Sequence, residues 1–199
     1  MGKKVFPNSD TCWHYDDKVG QKYLFESVNA PFINTYVFYN KKEALEWIEN
    51  TTFPKIFKLR GGAGANNVSM CKSKKEAQKK IKRAFSNGFN SRDKFYTLER
   101  NLWQFKRDKN LKSFINIFKG IIRIFIPSES DKNSTIEKNY VYFQDFIPQN
   151  NHDIRINIID NKAFAIKRMV RDGDFRASGS RKIIYNKDEI PLECINIAF

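Results

Sequence analysis

Phe53-Pro-Lys-Ile-Phe-Lys-Leu-Arg-Gly-Gly-Ala-Gly-Ala-Asn-Asn-Val68 is the stretch that decides how the rest of the chain is read. Its first half alternates. Ile56, Lys58 and Arg60 fall on one face and Phe57 and Leu59 on the other, a period of two that predicts a strand. Gly61, Gly62 and Gly64 follow at once and allow backbone angles that other residues resist, so successive amides can aim at one anion. Lys58 or Arg60 would supply the charge and the loop the hydrogen bonds. The stretch matches neither Walker A nor the dinucleotide fingerprint, and taken alone it also reads as a tight hairpin with solvated lysines.

Composition narrows the partner. The 199 residues fit one domain of two lobes or a piece of a larger enzyme, and 41% hydrophobic with 15% aromatic residues is enough for a real core. The formal charge of +14, from 36 basic and 22 acidic residues, favours an anionic partner: nucleotide, nucleic acid, acidic substrate or membrane surface. Cys12, Cys71 and Cys194 are odd in number and far apart, which indicates neither a disulfide framework nor a zinc site and points to a reducing cytosol. Phe6 breaks the myristoylation pattern behind Gly2, and no apolar run is long enough for a signal peptide or a membrane span.

Upstream of the glycine stretch, residues 1–15 read as loop. A helix opens at Asp16 or Asp17 with Lys18 in its first turn and is stopped by Ala30-Pro31. Phe32 to Tyr39 reads as a strand and Lys41 to Asn50 as a short helix burying Ala44, Leu45, Trp47 and Ile48. Downstream, Val68 to Lys72 reads as a strand, and Ser73 with Glu76 as a capping box opening a helix to about Phe85. These pieces make a small αβ lobe over residues 16–86.

Residues 87–139 read as a basic, aromatic-rich helical insert. Arg92 to Arg123 carries nine basic residues against three acidic ones, with aromatic and aliphatic residues interleaved. Three readings stay open for it: a helical pair packing its apolar stripe on the domain, an amphipathic membrane-surface helix from Lys112 to Ile126, or a nucleic-acid surface, which lacks any recognisable motif. Pro127 to Asn139 is polar and reads as a mobile loop.

Residues 140–199 read as a second lobe. Tyr140 to Ile147 is a strand closed by Pro148. Asp153 to Ile159 and Ala163 to Val170 form an antiparallel hairpin about Asp160-Asn161-Lys162, with Arg155, Asn157, Lys167 and Arg168 assigned to its polar face. Arg171 to Ser180 is a glycine- and charge-rich loop, and a final helix starts at Asp188. His14 and His152 lie in loops with no metal-ligand spacing.

In order, Asp17-Lys18 at a helix start, Pro54-x-x-x-Lys58 running into the glycine loop, Gln144-Asp145-Phe146-Ile147, Asp153-Ile154-Arg155, Ala165-Ile166-Lys167-Arg168 and Gly173-Asp174-Phe175-Arg176-Ala177-Ser178 together resemble the ATP-grasp superfamily. Within it they resemble the RimK-like and glutathione-synthase-like carboxylate-amine ligases. The resemblance implies an α+β fold, two αβ lobes with a nucleotide cleft between them. It also implies a reaction in which the ATP γ-phosphate passes to a substrate carboxylate and an amine attacks the acylphosphate to form an amide. Such chemistry needs positioned cations and amides more than covalent catalysis.

On that resemblance Lys18 and Lys58 reach the nucleotide phosphates, and Gly61, Gly62 and Gly64 belong to the loop that closes over them. Gln144, Asp145, Phe146 and Ile147 cradle adenine, and the family often has Glu where Asp145 stands. Asp153 reaches ribose or orients Arg155. Arg155, Lys167, Arg168 and Arg176 line the acceptor carboxylate and the developing phosphate charge.

The family's magnesium ligands come later than the hairpin, past Phe199, so the expectation is the central portion of a ligase, binding nucleotide and not catalytic alone. The partners expected are ATP and small-molecule or polymer carboxylates and amines. A cytoplasmic setting is expected, with peripheral membrane contact as the competing role for residues 92–126.

Overall fold

The computed structural model of the chain describes residues 2–3, 5–62, 67–91, 94–126 and 134–199. Gly64 and the polar loop 127–133 lie outside the described residues. The chain divides into two units, Met1–Phe146 and Ile147–Phe199.

The first unit is built on a four-stranded antiparallel sheet of β1 (Thr35–Phe38), β2 (Lys55–Lys58), β3 (Val68–Cys71) and the later strand β6 (Val141–Asp145), in the order β1-β6-β2-β3. The strand that the sequence reading gives to the second lobe is therefore central to this sheet. Phe57 pairs with Phe143 and Lys58 with Tyr142. Because side chains alternate across a strand, this register sends Phe57, Leu59, Val141 and Phe143 to one face. There they are sealed by α3 (Lys41–Asn50) and α4 (Lys74–Ala84) through Ala44, Ile48, Ala77 and Ile81, all almost completely buried. Trp47 stacks on Phe143 with ring centroids 5.4 Å apart, and Phe57 meets Phe143 edge-on at 5.5 Å.

The opposite face carries Ile56, Lys58 and Gln144. Tyr140 and Tyr142 lie there with Val19 of α2 (Lys18–Ser27) and Val37 in a second, smaller buried cluster. The expected split of Ile56 and Lys58 from Phe57 and Leu59 is thus present.

The helix starts obey local chemistry, beginning with the one-turn α1 (Ser9–Cys12), capped by Asn8 within the stretch 1–15 that the sequence reading left as loop. Asp17 is the N-cap of α2, its Oδ1 accepting from the Val19 and Gly20 amides at 2.9 and 3.0 Å. Asn40 caps α3 through the Lys42 amide at 2.8 Å. Ser73 caps α4, but Glu76 does not complete the expected capping box. Its Oε2 accepts from the Lys72 amide at 2.8 Å, one residue earlier than the Ser73 amide the motif requires.

Residues after α4 run through β4 (Phe89–Asn90), α5 (Lys94–Asp108), α6 (Leu111–Phe125) and β5 (Ile136–Glu137), with β4 and β5 paired in a two-stranded ladder that the sequence reading left as loop. The helical pair forms, but not with α6's apolar stripe turned inward. Among the residues of α6 whose burial is described, Ser113 and Gly120 are the buried ones, and Asn101 of α5 donates from Nδ2 to the Asn116 carbonyl at 2.7 Å. At Gly120 a Cβ would sit 2.9 Å from Asn101 Nδ2, so close approach of the two backbones selects the small, polar side of α6.

The second unit is a hairpin of β7 (His152–Ile159) and β8 (Lys162–Met169), extended by β9 (Ile183–Ile184). Asp160 takes a φ of 56° in the tight turn, a left-handed angle that Asp tolerates better than most residues. The final helix does not start at Asp188. A 3-10 turn spans Lys187–Glu189, and α7 (Leu192–Ala198) begins only after Pro191, which suits the start of a helix but not its interior.

Candidate functional site

Lys58 ends β2 on the face away from the hydrophobic core, and its ammonium donates to Gln144 Oε1 on the neighbouring strand. Register explains the meeting: Ile56 is the partner of Gln144 and Lys58 of Tyr142, so Lys58 and Gln144 share a face diagonally. Gln144 Nε2 donates in turn to Thr35 Oγ1 at 3.0 Å. The amide is therefore held at both ends and fixes where the lysine head group sits.

Lys18 approaches the same turn from α2. Its backbone amide donates to the Arg60 carbonyl at 3.0 Å, and its ammonium donates to the Gly62 carbonyl at 2.8 Å. Gly62 stands at φ 108°, an angle that strains any residue with a side chain. Tyr140, which the sequence reading did not single out, props the entry to the turn. Its hydroxyl accepts from the Arg60 amide at 2.6 Å and donates to Glu137 Oε2 at 2.8 Å. Burial holds the Tyr140 phenol above its ordinary pKa, so it stays a donor. Alternation back from Tyr142 was the one available signal for it.

The electrostatics are unfavourable as they stand. Burial, with the nearby Lys18 charge as a second cause, lowers Lys58 to a pKa of about 8. Lys18 is also held below its ordinary value by burial, against the opposing pull of Asp16, Glu137 and Asp17. Two partly desolvated ammonium groups beside a glycine turn, one of them bonded to a neutral amide and the other to a carbonyl, suit a multiply charged anion.

Asp145 points the other way. As the neighbour of Gln144 on the strand it faces the core side, where it pairs with Lys55 and accepts from Asn34 Nδ2 at 3.1 Å. Lys55 is 5% exposed and stands 5.2 Å from the Tyr36 ring and 5.8 Å from that of Trp47. The Asp145 carboxylate is thus engaged in a part-buried ion pair that the sequence reading missed. The backbone of Phe146 and Ile147 continues beyond the last ladder pair, and Ile147 is exposed.

In the second unit most of the expected cations already have carboxylate partners. Arg168 grips Asp153 in a two-pronged pair, Nε to Oδ1 and Nη2 to Oδ2, each 2.7 Å. Lys167 pairs with Glu189 at 2.6 Å. Arg176 binds Asp174 at 2.6 Å. Burial alone would raise the Asp174 carboxyl, but the hydrogen bonds and charge of Arg176 outweigh it and hold the group below its ordinary value. Arg155 is exposed.

One expectation about this hairpin is overturned. Lys167 is the ladder partner of Ile154, whereas Arg168 partners Asp153 and Arg155 partners Ile166. Paired residues share a face, so Arg155 and Arg168 lie on one side and Lys167 on the other. The single polar face read from sequence fails because Lys167 and Arg168 are adjacent and must alternate. A further buried arginine escaped notice: Arg171 donates from Nε to the Ser178 carbonyl at 2.7 Å, and its guanidinium fills the space over Gly179, where a Cβ would lie 2.9 Å from Nη2.

Among the described residues no three His, Cys, Asp or Glu side chains gather as a metal site.

Comparison with known proteins finds a family resemblance over part of the chain. Residues 111–199 match the family model described as the RimK-like ATP-grasp domain. The match takes in Gln144 and the whole second unit but not Lys18, Lys58 or the glycine turn. No curated protein matches the chain. Among solved structures, the crystal structure of D-alanine-D-alanine ligase from Helicobacter pylori is similar, at 12% identity and a TM-score of 0.40, over 88% of this chain. The chain spans 39% of that ligase's length.

Proposed function

We propose, from the similarity of residues 111–199 to the RimK-like ATP-grasp domain, that the chain is the nucleotide-binding portion of an ATP-dependent carboxylate-amine ligase. The observation that carries the reading is the desolvated Lys58 ammonium beside Lys18 at the glycine turn. An anion bound there would neutralise two charges that the fold otherwise holds at a cost. A triphosphate has the charge and length to meet both lysines and the amides of Gly61 and Gly62.

In this reading Lys58, aligned by Gln144, and Lys18 hold the phosphates, and the turn excludes water from the reacting centre. The γ-phosphoryl group passes to a carboxylate oxygen of the substrate, leaving ADP. An amine then attacks the acyl carbon, expelling phosphate and giving an amide. The strand end at 145–147 offers backbone groups to adenine, while the Asp145 carboxylate keeps its structural partner Lys55. Arg155 and Arg168 are the face proposed for the acceptor carboxylate, with Asp153 orienting Arg168. Arg176 is proposed for the developing phosphate charge, and Lys167, on the opposite strand face, is left to its pairing with Glu189. A cytoplasmic setting accords with the free thiols of Cys12, Cys71 and Cys194.

Calorimetric titration of ATP into the folded chain, with and without magnesium, tests the reading. Binding is expected, and Lys58→Ala should weaken it about 100-fold, the loss of one charge-assisted phosphate contact of about 3 kcal/mol. A chain that is folded by circular dichroism and binds no nucleotide would overturn it.

A further inference from the structure

Helix α6 presents its apolar stripe to solvent. Leu111, Ile115, Phe118, Ile122 and Phe125 recur at helical spacing along one side, and Phe118, Ile122 and Phe125 are 53%, 55% and 78% exposed. The side packed on α5 is instead the one with Ser113, Asn116 and Gly120. An amphipathic helix in a water-soluble pair normally turns its apolar side toward its neighbour. Here the inversion is fixed by the Asn101 bond to the Asn116 carbonyl and the close contact at Gly120, so the exposed stripe is a built feature of the hairpin.

The flank of that stripe is cationic. Lys112 and Lys119 lie along one edge of α6. Beside them, between α5 and α6, runs a groove of about 430 Å³ lined by Thr97, Arg100, Gln104, Asn116, Lys119 and Ile122. Its polar residues include two cations and three neutral hydrogen-bonding side chains, and Ile122 joins it to the apolar stripe. Residues 94–126 hold eight basic residues against two acidic ones.

We propose that the α5-α6 hairpin docks on an anionic phospholipid surface, α6 lying in the interface with its apolar stripe among the acyl chains and a lipid phosphate in the Arg100–Lys119 groove. The arrangement is that of a helix lying on a membrane: an apolar side, cations along its edge and no length or uniform apolarity for spanning. A second copy of the chain fits less well, because apposed stripes would bring the like-charged Lys112 and Lys119 edges of two chains, each with a formal charge of +14, together. The docking surface lies outside the nucleotide site, so its test and that of the ligase reading fail independently.

The measurement is co-sedimentation of the full chain with vesicles of phosphatidylcholine alone and of phosphatidylcholine mixed with phosphatidylglycerol, without nucleotide. The chain should pellet with the anionic vesicles and be released by salt. Phe118→Asp or Ile122→Asp should abolish pelleting with the circular dichroism spectrum unchanged. Lys119→Ala and Arg100→Ala, both at exposed positions, should each weaken it about fivefold, the equivalent of about 1 kcal/mol per cation at the surface. No pelleting by the folded chain would overturn the proposal. So would equal pelleting on neutral vesicles that Lys119→Ala does not alter, or self-association that the Asp substitutions abolish while vesicles are ignored.

Discussion

The site cations that the sequence singles out have been treated differently in the two units. In the second unit Arg168, Lys167 and Arg176 each sit against a carboxylate, Asp153, Glu189 and Asp174 in turn. In the first, Lys58 is bonded to the neutral Gln144 amide and Lys18 to the Gly62 carbonyl, and burial lowers the pKa of both. A cation matched with a carboxylate inside its own unit can be part of the architecture. A desolvated ammonium without a carboxylate on it is a standing penalty, and its retention makes sense where a ligand supplies the missing charge. The contrast separates cations already matched by a carboxylate of their own unit from cations that still await an anion.

The largest effect should come from neither set, and it calibrates the rest. Phe143 is fully buried between Trp47 and Phe57 on the core side of the sheet. Phe143→Ala should cost about 3–5 kcal/mol of folding stability through lost burial and a residual cavity, read from urea unfolding. If the loss is much smaller, the core side of the sheet does not carry the first unit, and arguments from its opposite side lose their scaffold.

Lys58 offers the sharpest contrast with the core. Its folded pKa of about 8 lies below the ordinary 10.5, so the folded state binds fewer protons than the unfolded state between those values. Stability attributable to this group therefore rises with pH across that window, and below about pH 8 the penalty is fully present. Lys58→Met should raise stability at neutral pH by about 1–2 kcal/mol, the relief of the buried charge less the hydrogen bond lost by Gln144. The same substitution should weaken nucleotide binding about 100-fold, as Lys58→Ala should. A substitution that stabilises and disables together would mark Lys58 as a binding residue, whereas destabilisation would make it architectural like Lys55.

The same pKa predicts how ATP affinity responds to pH. A bound polyanion favours the ammonium form, so above about pH 8 binding must take up a proton and affinity should fall by up to about tenfold per pH unit. Lys58→Arg keeps the charge at all these pH values and should flatten the profile. Titrations in buffers of different ionisation enthalpy would measure the proton uptake directly.

The strand and turn at 53–62 were legible because period-two alternation and glycine both act locally. Helix α2 was legible from Asp17, whose cap is likewise a local contact. What escaped depends on pairing between distant segments. Nothing near Asp145 announces Lys55, ninety residues away, and β6 could not be assigned to the first unit's sheet before its register with β2 was known. Lys167 was misplaced because a one-residue uncertainty in register exchanges the faces of a strand. In α6 the hydrophobic pattern was plain in the sequence, but its direction was set by Asn101 and Gly120. These form a specific close contact that composition does not reveal.

Asp153→Asn is the mildest way to break the comparison. The Asp153 side chain is 40% exposed and that of Arg168 21%, so solvent screens much of the pair and the substitution should cost only about 0.5–1 kcal/mol. Arg168 keeps a hydrogen-bonding partner in the amide and loses its counter-charge. If the paired cations are architecture, nucleotide affinity should stay within about twofold, a change of about 0.4 kcal/mol, while the urea midpoint falls slightly. A loss of ATP affinity comparable to that of Lys58→Ala would instead mean that the Asp153–Arg168 pair reaches the nucleotide. Pairing with a carboxylate would then no longer distinguish the cations that hold the fold from those that hold the ligand.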